Sequence, residues 1–174
     1  MSDKIQINRF TNANVYIDGN SLMGQVAEIE LPDIKTKMSE HKALGMIGAM
    51  ELPSGIDKLA GKIKWTAFYP DALKRFAHPH KTIQLQVRGS LESYQPQGIA
   101  SEVPVVAVLT IMSQNLPKAA IKPQDNVELD TDYSAYYYKL TINGEDIVEI
   151  DLFANIHKVG GVDILENYRN NLGG

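Results

Sequence analysis

Apolar and polar residues alternate with a period of two along most of this chain, a pattern typical of strands with one buried and one hydrated face. Three segments carry the pattern most clearly, with apolar or small residues at Ile63, Trp65, Ala67 and Tyr69, at Ile83, Leu85, Val87 and Leu91, and at Val127, Leu129, Thr131 and Tyr133. Val103–Met112 is apolar on both faces apart from Thr110. We therefore expect a central strand there, with its outer side covered by a helix or by a neighbouring subunit.

Two glycine-containing turns interrupt the strands, at Asp18-Gly19 and at Asn143-Gly144. At the second, a two-residue turn would place Tyr138 opposite Glu149. A three-residue loop over Ile142–Gly144, with Gly144 left-handed, would instead pair Tyr138 with Val148 and Tyr136 with Ile150. The second register makes one clean apolar face, so the sequence favours the bulged turn.

Helical signals are confined to two short segments. Pro70–Phe76 begins with proline and aspartate and has basic residues in its last turn, which predicts a crossover helix. Asp163–Leu172 predicts a terminal helix docked on the sheet through Ile164, Leu165 and Tyr168. The chain is thus expected to be mainly β, an antiparallel β-sandwich or barrel with one or two short flanking helices, in a single domain spanning 1–174.

The alternation breaks between Ile34 and Ile63. Eight consecutive residues there carry no charge, Ala43, Leu44, Gly45, Met46, Ile47, Gly48, Ala49 and Met50, and Leu52 follows shortly after. Connections of this length are uncommon and usually functional, and methionine adapts to irregular partner surfaces. The pattern leaves two interpretations open: a hairpin folded back into the core, or a long extended hairpin arm over 35–62 that reaches another subunit.

Composition narrows the functional classes. The 174 residues have a net charge of −4 and no cysteine. Tight nucleic-acid binding needs clustered Lys and Arg, which the sequence lacks, and the absence of cysteine excludes disulfides, thiolate metal sites and a cysteine nucleophile. We also find no signal peptide core and no apolar stretch of about 20 residues, so we expect folding in the cytoplasm without a membrane anchor.

Two other functional classes compete with an assembly role. For an enzyme, His78-Pro79-His80 could contribute metal ligands, but no HExxH pattern or third ligand accompanies it, and a solvated loop is the favoured interpretation. We therefore predict no catalytic residue, no cofactor and no metal. The alternative is a monomeric small-molecule-binding β-barrel whose cup is lined by Tyr133, Tyr136 and Tyr138, although tyrosines also pack in cores and at subunit interfaces.

The order and spacing of landmarks along the whole chain resemble a known family. The landmarks are Asn14–Gly19, Ile29–Pro32, Gly45-Met46, Val103–Val106, Tyr137–Leu140 with Gly144, Glu149–Asp151, Gly161–Asp163 and Arg169–Gly173. Together they resemble the major tail tube protein of contractile-tailed (myovirus-type) phages, and also the tube protein of R-type bacteriocins. Asp3–Arg9 looks longer and more polar than that family's pattern, and Ser113–Asn126 does not align with it.

The resemblance implies a structural protein that self-assembles into stacked hexameric rings, which form the inner tube of a contractile phage tail or tail-like particle and a conduit for DNA ejection. It implies that the segment after Leu31-Pro32 is an inter-subunit arm. The implied partners are other copies of the chain, the tail sheath protein, the baseplate or tube initiator, and the tape measure protein. The implied location is the virion tail, with assembly in the host bacterial cytoplasm.

A tube that passes double-stranded DNA should not present many basic groups to it, because the polymer would bind rather than slide. Two acidic rows are therefore candidates for the lumen lining: Glu128, Asp130 and Asp132 in one, and Glu28 and Glu30 in the other. DNA would pass transiently, without tight binding. The alternative is that either row is an ordinary hydrated strand face.

Overall fold

The computed structural model describes residues 5–174, so the first four residues of the predicted domain lie outside it. The first half of the chain contains β1 (Ile7–Ile17), β2 (Asn20–Ser21), β3 (Val26–Glu30), β4 (Thr36–His41), β5 (Met50–Ile56), β6 (Leu59–Trp65) and α1 (Pro70–Phe76). The second half contains β7 (Ile83–Gln95), β8 (Gly98–Ser113), β9 (Lys118–Ala120), β10 (Glu128–Ile142), β11 (Glu145–Asp151), β12 (Ile156–Val159), β13 (Val162–Asp163) and α2 (Glu166–Asn171).

The long strand β10 joins two parts of one antiparallel sheet. Its first half pairs with β6 and β9, and β6 in turn pairs with β3. Its second half pairs with β8 and β11, which extends the sheet in the order β13-β12-β11-β10-β8-β7-β1-β2. The inward side chains of both parts form one apolar core. The predicted mainly β, antiparallel fold with two short helices is confirmed.

The alternating positions predicted from the sequence point into this core. Ile83, Leu85 and Val87 on β7 are buried, as are Leu129, Thr131 and Tyr133 on β10. The buried polar atoms among them are paired, since Trp65 Nε1 donates to Thr131 Oγ1 at 3.1 Å and the Tyr133 hydroxyl donates to the Glu30 carbonyl at 2.6 Å. The strand predicted to continue to Tyr69 ends at Trp65, and residues 66–69 form a bend that leads into the helix starting at Pro70.

Strand β8 is central, between β7 and β10, as its apolar sequence predicts. Its inward residues Ala107, Leu109 and Ile111 are buried. Its outward residues Val106 and Val108 are half-buried, and the register places each between polar residues of β7 and β10. α1 therefore completes the core at one end, where Phe76 packs edge-on against Trp65 with 5.3 Å between ring centroids, rather than covering the outer side of β8.

Both predicted glycine turns are present as two-residue turns, but the register after the second differs from the prediction. Asp18 and Gly19, like Asn143 and Gly144, have positive φ, the backbone that such hairpin turns require. Leu140 pairs with Val148 and Tyr138 with Ile150, so the predicted pairing of Tyr138 with Val148 is wrong. A bulge at Ile147, rather than a three-residue loop, brings the apolar residues of both strands onto one face.

The first helix has its predicted bounds, Pro70–Phe76, whereas the second is shorter than predicted. α2 begins at Glu166, because Val162–Asp163 pairs with β12 instead. The Asp163 carboxylate accepts a hydrogen bond from Leu165 N at 3.0 Å and binds Arg169 Nη2 at 2.6 Å. Arg169 also donates to the Asn155 carbonyl, so α2 is held mainly by polar contacts, and none of its side chains is buried.

Candidate assembly surfaces

The segment predicted as an arm is a separate two-stranded hairpin. β4 and β5 pair only with each other among the described strands, from Thr36 opposite Ile56 to His41 opposite Met50. Residues 59–62, which the prediction placed in the arm, belong instead to β6 in the main sheet. We call Thr36–Ile56 the arm and residues 42–49 its tip.

The apolar side chains of the arm lie in solvent. Leu44 and Ile47 are fully exposed at the tip, and Met38, Met50 and Leu52 are about half exposed. These exposures contradict the interpretation of a hairpin folded back into the core. Apolar groups exposed in this way mark an interaction surface, because monomeric proteins rarely leave contiguous apolar patches in water.

The arm is anchored at its base. Ile34 and Ile56 pack against the core of the sandwich. Asp57 N donates to the Lys35 carbonyl at 2.8 Å, and Ser54 Oγ donates to the Lys37 carbonyl at 3.1 Å. The base therefore fixes the direction in which the arm leaves the sandwich, while the tip has no such support.

The two predicted acidic rows lie together on one outer face, interleaved with lysines. Glu28 and Glu30 on β3 lie opposite Lys64 and Lys62 on β6, which in turn lie opposite Asp130 and Asp132 on β10. On the other side of β10, Lys118 lies opposite Asp130.

The charged side chains of this face contact one another. Lys64 Nζ contacts Glu28 Oε2 at 3.0 Å, and this hydrogen bond raises the pKa of Lys64. Glu128 lines the same shallow cleft as Lys62, Lys118, Asp130 and Asp132. The face is a ladder of opposite charges rather than a bare acidic row.

A second exposed apolar surface, which the sequence reasoning did not identify, lies at the C-terminal end. Its exposed members are Leu152, Phe153, Val159, Val162, Ile164, Tyr168 and Leu172, and we call it the C-terminal patch. Phe153 is 84% exposed, although its ring meets that of Tyr136 edge-on at 5.4 Å. The available signal was the density of apolar residues from Leu152 onward, which the sequence analysis assigned in part to a docked helix face.

One end of the sandwich opens into an apolar groove with a volume of about 350 Å³. Its walls include Phe10, Ile29, Leu31, Leu91, Val105 and Ile142, and we call it the end groove. Small-molecule sites usually add a few convergent polar groups to an apolar pocket, and the side chains lining the end groove are all apolar.

The tyrosines predicted to line a ligand cup do not line the end groove. Tyr133 and Tyr138 are buried in the core. Burial raises the pKa of both phenols above the ordinary value. Tyr136 is half-buried, and its hydroxyl lies 2.9 Å from Met112 Sδ. The tyrosine-lined cup is therefore contradicted, and core packing accounts for Tyr133 and Tyr138.

The histidines do not form a metal centre within the part of the chain that the structure describes. The rings of His78 and His80 are 6.3 Å apart, and His80 N donates to His78 Nδ1 at 3.2 Å. No cluster of three or more histidine or carboxylate side chains suited to a metal ion occurs among residues 5–174. Over the same residues, neither helix has the length and apolar character needed to span a membrane.

The sequence matches a known protein family and a characterised relative over nearly its whole length. The family model described as "Phage tail tube protein FII" matches residues 7–173. The tail tube protein of Escherichia phage P2 is 27% identical over 161 residues, which cover 92% of this chain and 94% of that protein.

Solved structures of contractile injection systems share the fold at low sequence identity. The sheath/tube terminator of the extracellular system PVC has a TM-score of 0.53 at 7% identity, covering 74% of this chain and 92% of that one. The PVC sheath–tube complex has a TM-score of 0.52 at 7% identity, with coverage of 74% and 87%. The baseplate of the anti-feeding prophage has a TM-score of 0.50 at 10% identity, with coverage of 81% and 97%.

Proposed function

Because the chain belongs to the phage tail tube protein FII family and is a structural protein of a contractile tail tube, we propose that its copies assemble into stacked hexameric rings. The rings form the inner tube of a contractile phage tail or tail-like particle and give DNA a path during ejection. The chain acts as a single domain and catalyses no reaction. Its residues form the core, the turns and the surfaces that contact other subunits.

The exposed arm is the observation that carries this proposal. Its tip presents Leu44 and Ile47 to solvent, without a contact partner among residues 5–174, while Ile34 and Ile56 hold its base to the sandwich. A projecting apolar segment with a firm base is suited to reach a neighbouring subunit and to be buried there. Such a contact is heterologous, and repeated heterologous contacts close into rings or continue as filaments.

The inter-subunit arm is proposed to act through the uncharged part of its tip and the start of β5, over Ala43–Met50 and Leu52. Met46 and Met50 give this surface an adaptable apolar character. Gly45 has a positive φ of 86°, a conformation that glycine adopts without strain. The tip can therefore present its apolar side chains on a tight turn at the end of a two-stranded support.

The charged ladder is proposed as part of the tube lumen. Glu28, Glu30, Glu128, Asp130 and Asp132 would face the DNA, with Lys62 and Lys64 between the two acidic rows. Lys64 is paired with Glu28, and Lys62 lies opposite Glu30 and Asp132, so both lysines are less available to phosphates. Reversing the charge of Asp130 and Asp132 to lysine is expected to slow DNA ejection from assembled particles, while tube assembly persists. Loss of assembly would instead assign this face to a subunit interface.

The proposed partners are the tail sheath protein, the baseplate or tube initiator, and the tape measure protein. Solved structures similar to this chain come from a sheath–tube complex and from a baseplate, which supports the first two. We propose that assembly takes place in the host bacterial cytoplasm and that the product belongs to the virion tail or tail-like particle.

Negative-stain electron microscopy of the purified protein tests the proposal. The informative variant replaces residues 42–49 by Asn-Gly, because His41 and Met50 form the last pair of the hairpin and Asn-Gly closes a two-residue turn. We expect rings or hollow tubes from the wild type and their loss in this variant, with unchanged circular dichroism. A wild type that stays monomeric at high concentration contradicts the proposed function, whereas tubes in the variant would remove the role of the tip.

A further inference from the structure

The hydroxyl of Tyr133 joins the core of the sandwich to the strand that leads into the arm. Tyr133 lies on β10 without exposed surface, and its hydroxyl donates to the Glu30 carbonyl at 2.6 Å. Glu30 is the last residue of β3, and the arm begins soon afterwards at Thr36. Burial raises the pKa of Tyr133, so the hydroxyl stays protonated and remains a donor. The bond therefore fixes a backbone atom just before the chain leaves the body.

The strand that follows the arm leaves space for this bond. Gly61 on β6 lies opposite Tyr133 in the register of β6 and β10. Its φ lies outside the left-handed region, so its backbone conformation is open to other residues. A Cβ at this position would overlap both the Tyr133 hydroxyl oxygen and the Glu30 carbonyl oxygen. Space rather than backbone conformation therefore requires glycine here, and the strands on both sides of the arm meet one side chain of the body.

The end of β3 has few other directional contacts with the body. β3 pairs only with β6 among the described strands, and three of its five residues are exposed. Ile29 and Leu31 pack against the core, but apolar contacts have no preferred direction. A hydrogen bond constrains both distance and angle, so the Tyr133 hydroxyl supplies an orientation that a phenylalanine ring of the same shape would not.

The two legs of the arm are tied to each other and move as a unit. Asp57 N donates to the Lys35 carbonyl at 2.8 Å, and β4 and β5 pair from there towards the tip. Ile34 and Ile56 hold the base to the core by apolar contact. A rotation of the backbone at the end of β3 would therefore be carried along the whole hairpin.

We propose that Tyr133 is a positioning residue for assembly, whose hydroxyl acts through the Glu30 carbonyl to set the direction in which the arm leaves the body. The inference rests on the proposed inter-subunit role of the arm and assigns a part in it to a side chain buried in the core. An arm that already has its docking direction in the free subunit loses less conformational freedom when it binds a neighbouring copy.

Distance measurement by pulsed electron paramagnetic resonance tests this role. Nitroxide labels are attached to Glu51→Cys on the arm and Ser90→Cys on β7, both exposed positions in a chain without cysteine. Samples are measured at a concentration where sedimentation shows single copies. We expect Tyr133→Phe to broaden the distribution of distances between the labels. Tyr138→Phe, which removes a hydroxyl from the same strand and core, is the matched control and should leave the distribution unchanged.

Unlabelled variants connect the direction of the arm to assembly. One hydrogen bond corresponds to a change of about two- to tenfold in an equilibrium constant, so Tyr133→Phe should raise the protein concentration needed for tubes by that factor. Tyr138→Phe should leave this concentration unchanged. Replacing Tyr133 by 4-aminophenylalanine restores a donor to the Glu30 carbonyl and should recover both assembly and the narrow distance distribution.

Gly61→Ala is the second variant, used if Tyr133→Phe does not fold, because its methyl group would displace the hydroxyl from the Glu30 carbonyl. An unchanged distance distribution in either folded variant overturns the proposal, as does a broadened distribution with unchanged assembly. Failure of both variants to fold would make the bond a requirement of the sandwich itself and would also overturn it. If the wild type forms no tubes, the proposed function fails, while the distances still decide whether Tyr133 orients the arm.

Discussion

The sandwich body and the arm are both built from antiparallel strand pairs, but their apolar side chains have opposite surroundings. In the body, Leu109 on β8 has no exposed surface and Tyr133 on β10 is equally buried. In the arm, Leu44 is fully exposed. The strands on either side of it, β4 and β5, pair only with each other among the described strands. The apolar side chains of the body are buried within one chain, whereas those of the arm remain in solvent.

This contrast separates folding energy from assembly energy. Each Å² of apolar surface removed from water stabilises by about 25 cal/mol, so the buried body gains that stabilisation when the chain folds. An isolated two-stranded hairpin is marginally stable at best. In the proposed assembly the arm gains most of its stabilisation when a neighbouring copy covers it, so substitutions in the two regions should affect different measurements.

The largest expected effect on folding comes from Leu109→Ala. Leu109 is fully buried between the two parts of the sheet, and truncating a buried leucine typically costs about 2–5 kcal/mol through lost transfer energy and a cavity. Urea unfolding followed by circular dichroism should show that loss in the purified subunit. A change below about 1 kcal/mol would contradict the burial of this position, because a buried leucine truncation rarely costs so little.

The same substitution in the arm, Leu44→Ala, should leave the unfolding free energy within about 0.5 kcal/mol of the wild type, as exposed positions usually do. It should instead reduce the yield of tubes, because every copy loses one apolar anchor. Sedimentation and electron microscopy measure this yield. Leu116→Ala, another exposed leucine outside the arm, is the matched control and should change neither quantity. Equal loss of folding stability in Leu44→Ala and Leu109→Ala would erase the distinction between the two regions.

The body was predictable from sequence to the extent that its signals are local. Alternation identified the buried faces of β7 and β10, and Pro70 with Asp71 identified the start of α1. The uncharged run around Leu44 marked a segment that breaks the alternation, because four of its eight residues are glycine or alanine, and the family resemblance favoured an arm over a hairpin folded into the core. These features depend on residues close together in the chain.

The features that were missed depend on strands far apart in the chain. The bulge at Ile147 is fixed by matching Leu140 with Val148 across the hairpin, which the turn sequence alone does not determine. The ladder of opposite charges arises because β6 lies between β3 and β10, so Lys62 and Lys64 separate two acidic rows. The C-terminal patch was mistaken in part for a docked helix because periodicity shows that residues share a face but not whether that face is covered.

A smaller effect concerns the stability of the body at alkaline pH. Burial and the hydrogen bond to Glu149 raise the pKa of Tyr137 to about 12, from an ordinary value of 10.0. The folded state therefore favours the neutral phenol, so its contribution is complete below pH 10 and is lost as the pH rises from 10 to about 12. Tyr137→Phe cannot ionise at this position and should lose less stability over that window.

Urea midpoints measured just below pH 10 and near pH 12 check this dependence. The variant with Asn-Gly in place of the tip should follow the wild type, because the titrating group lies in the body. Tyr133 contributes in the same direction, so Tyr137→Phe should reduce the alkaline loss without abolishing it. An identical loss in wild type and Tyr137→Phe would mean that Tyr137 remains protonated equally well in the unfolded chain.

The smallest expected effect is confined to β13 and α2. We expect the local stability of α2 to lie between that of the body and that of the arm tip. The Asp163 carboxylate holds Arg169 and accepts the Leu165 N–H, and these hydrogen bonds lower its pKa below the ordinary value of 3.8. Asp163→Asn should therefore speed amide hydrogen exchange in β13 and α2 while the amides of β8 and β10 stay protected. In the wild type, the same loosening should appear only as the pH falls below 3.8, because the depressed pKa stabilises the folded state above that value.

Exchange rates corrected for their intrinsic pH dependence should rank the tip as fastest, α2 as intermediate and β8 as slowest. If Asp163→Asn left α2 unchanged, the apolar contacts of Leu165 and Tyr168 would be its real anchor, and the terminal segment would belong energetically to the body.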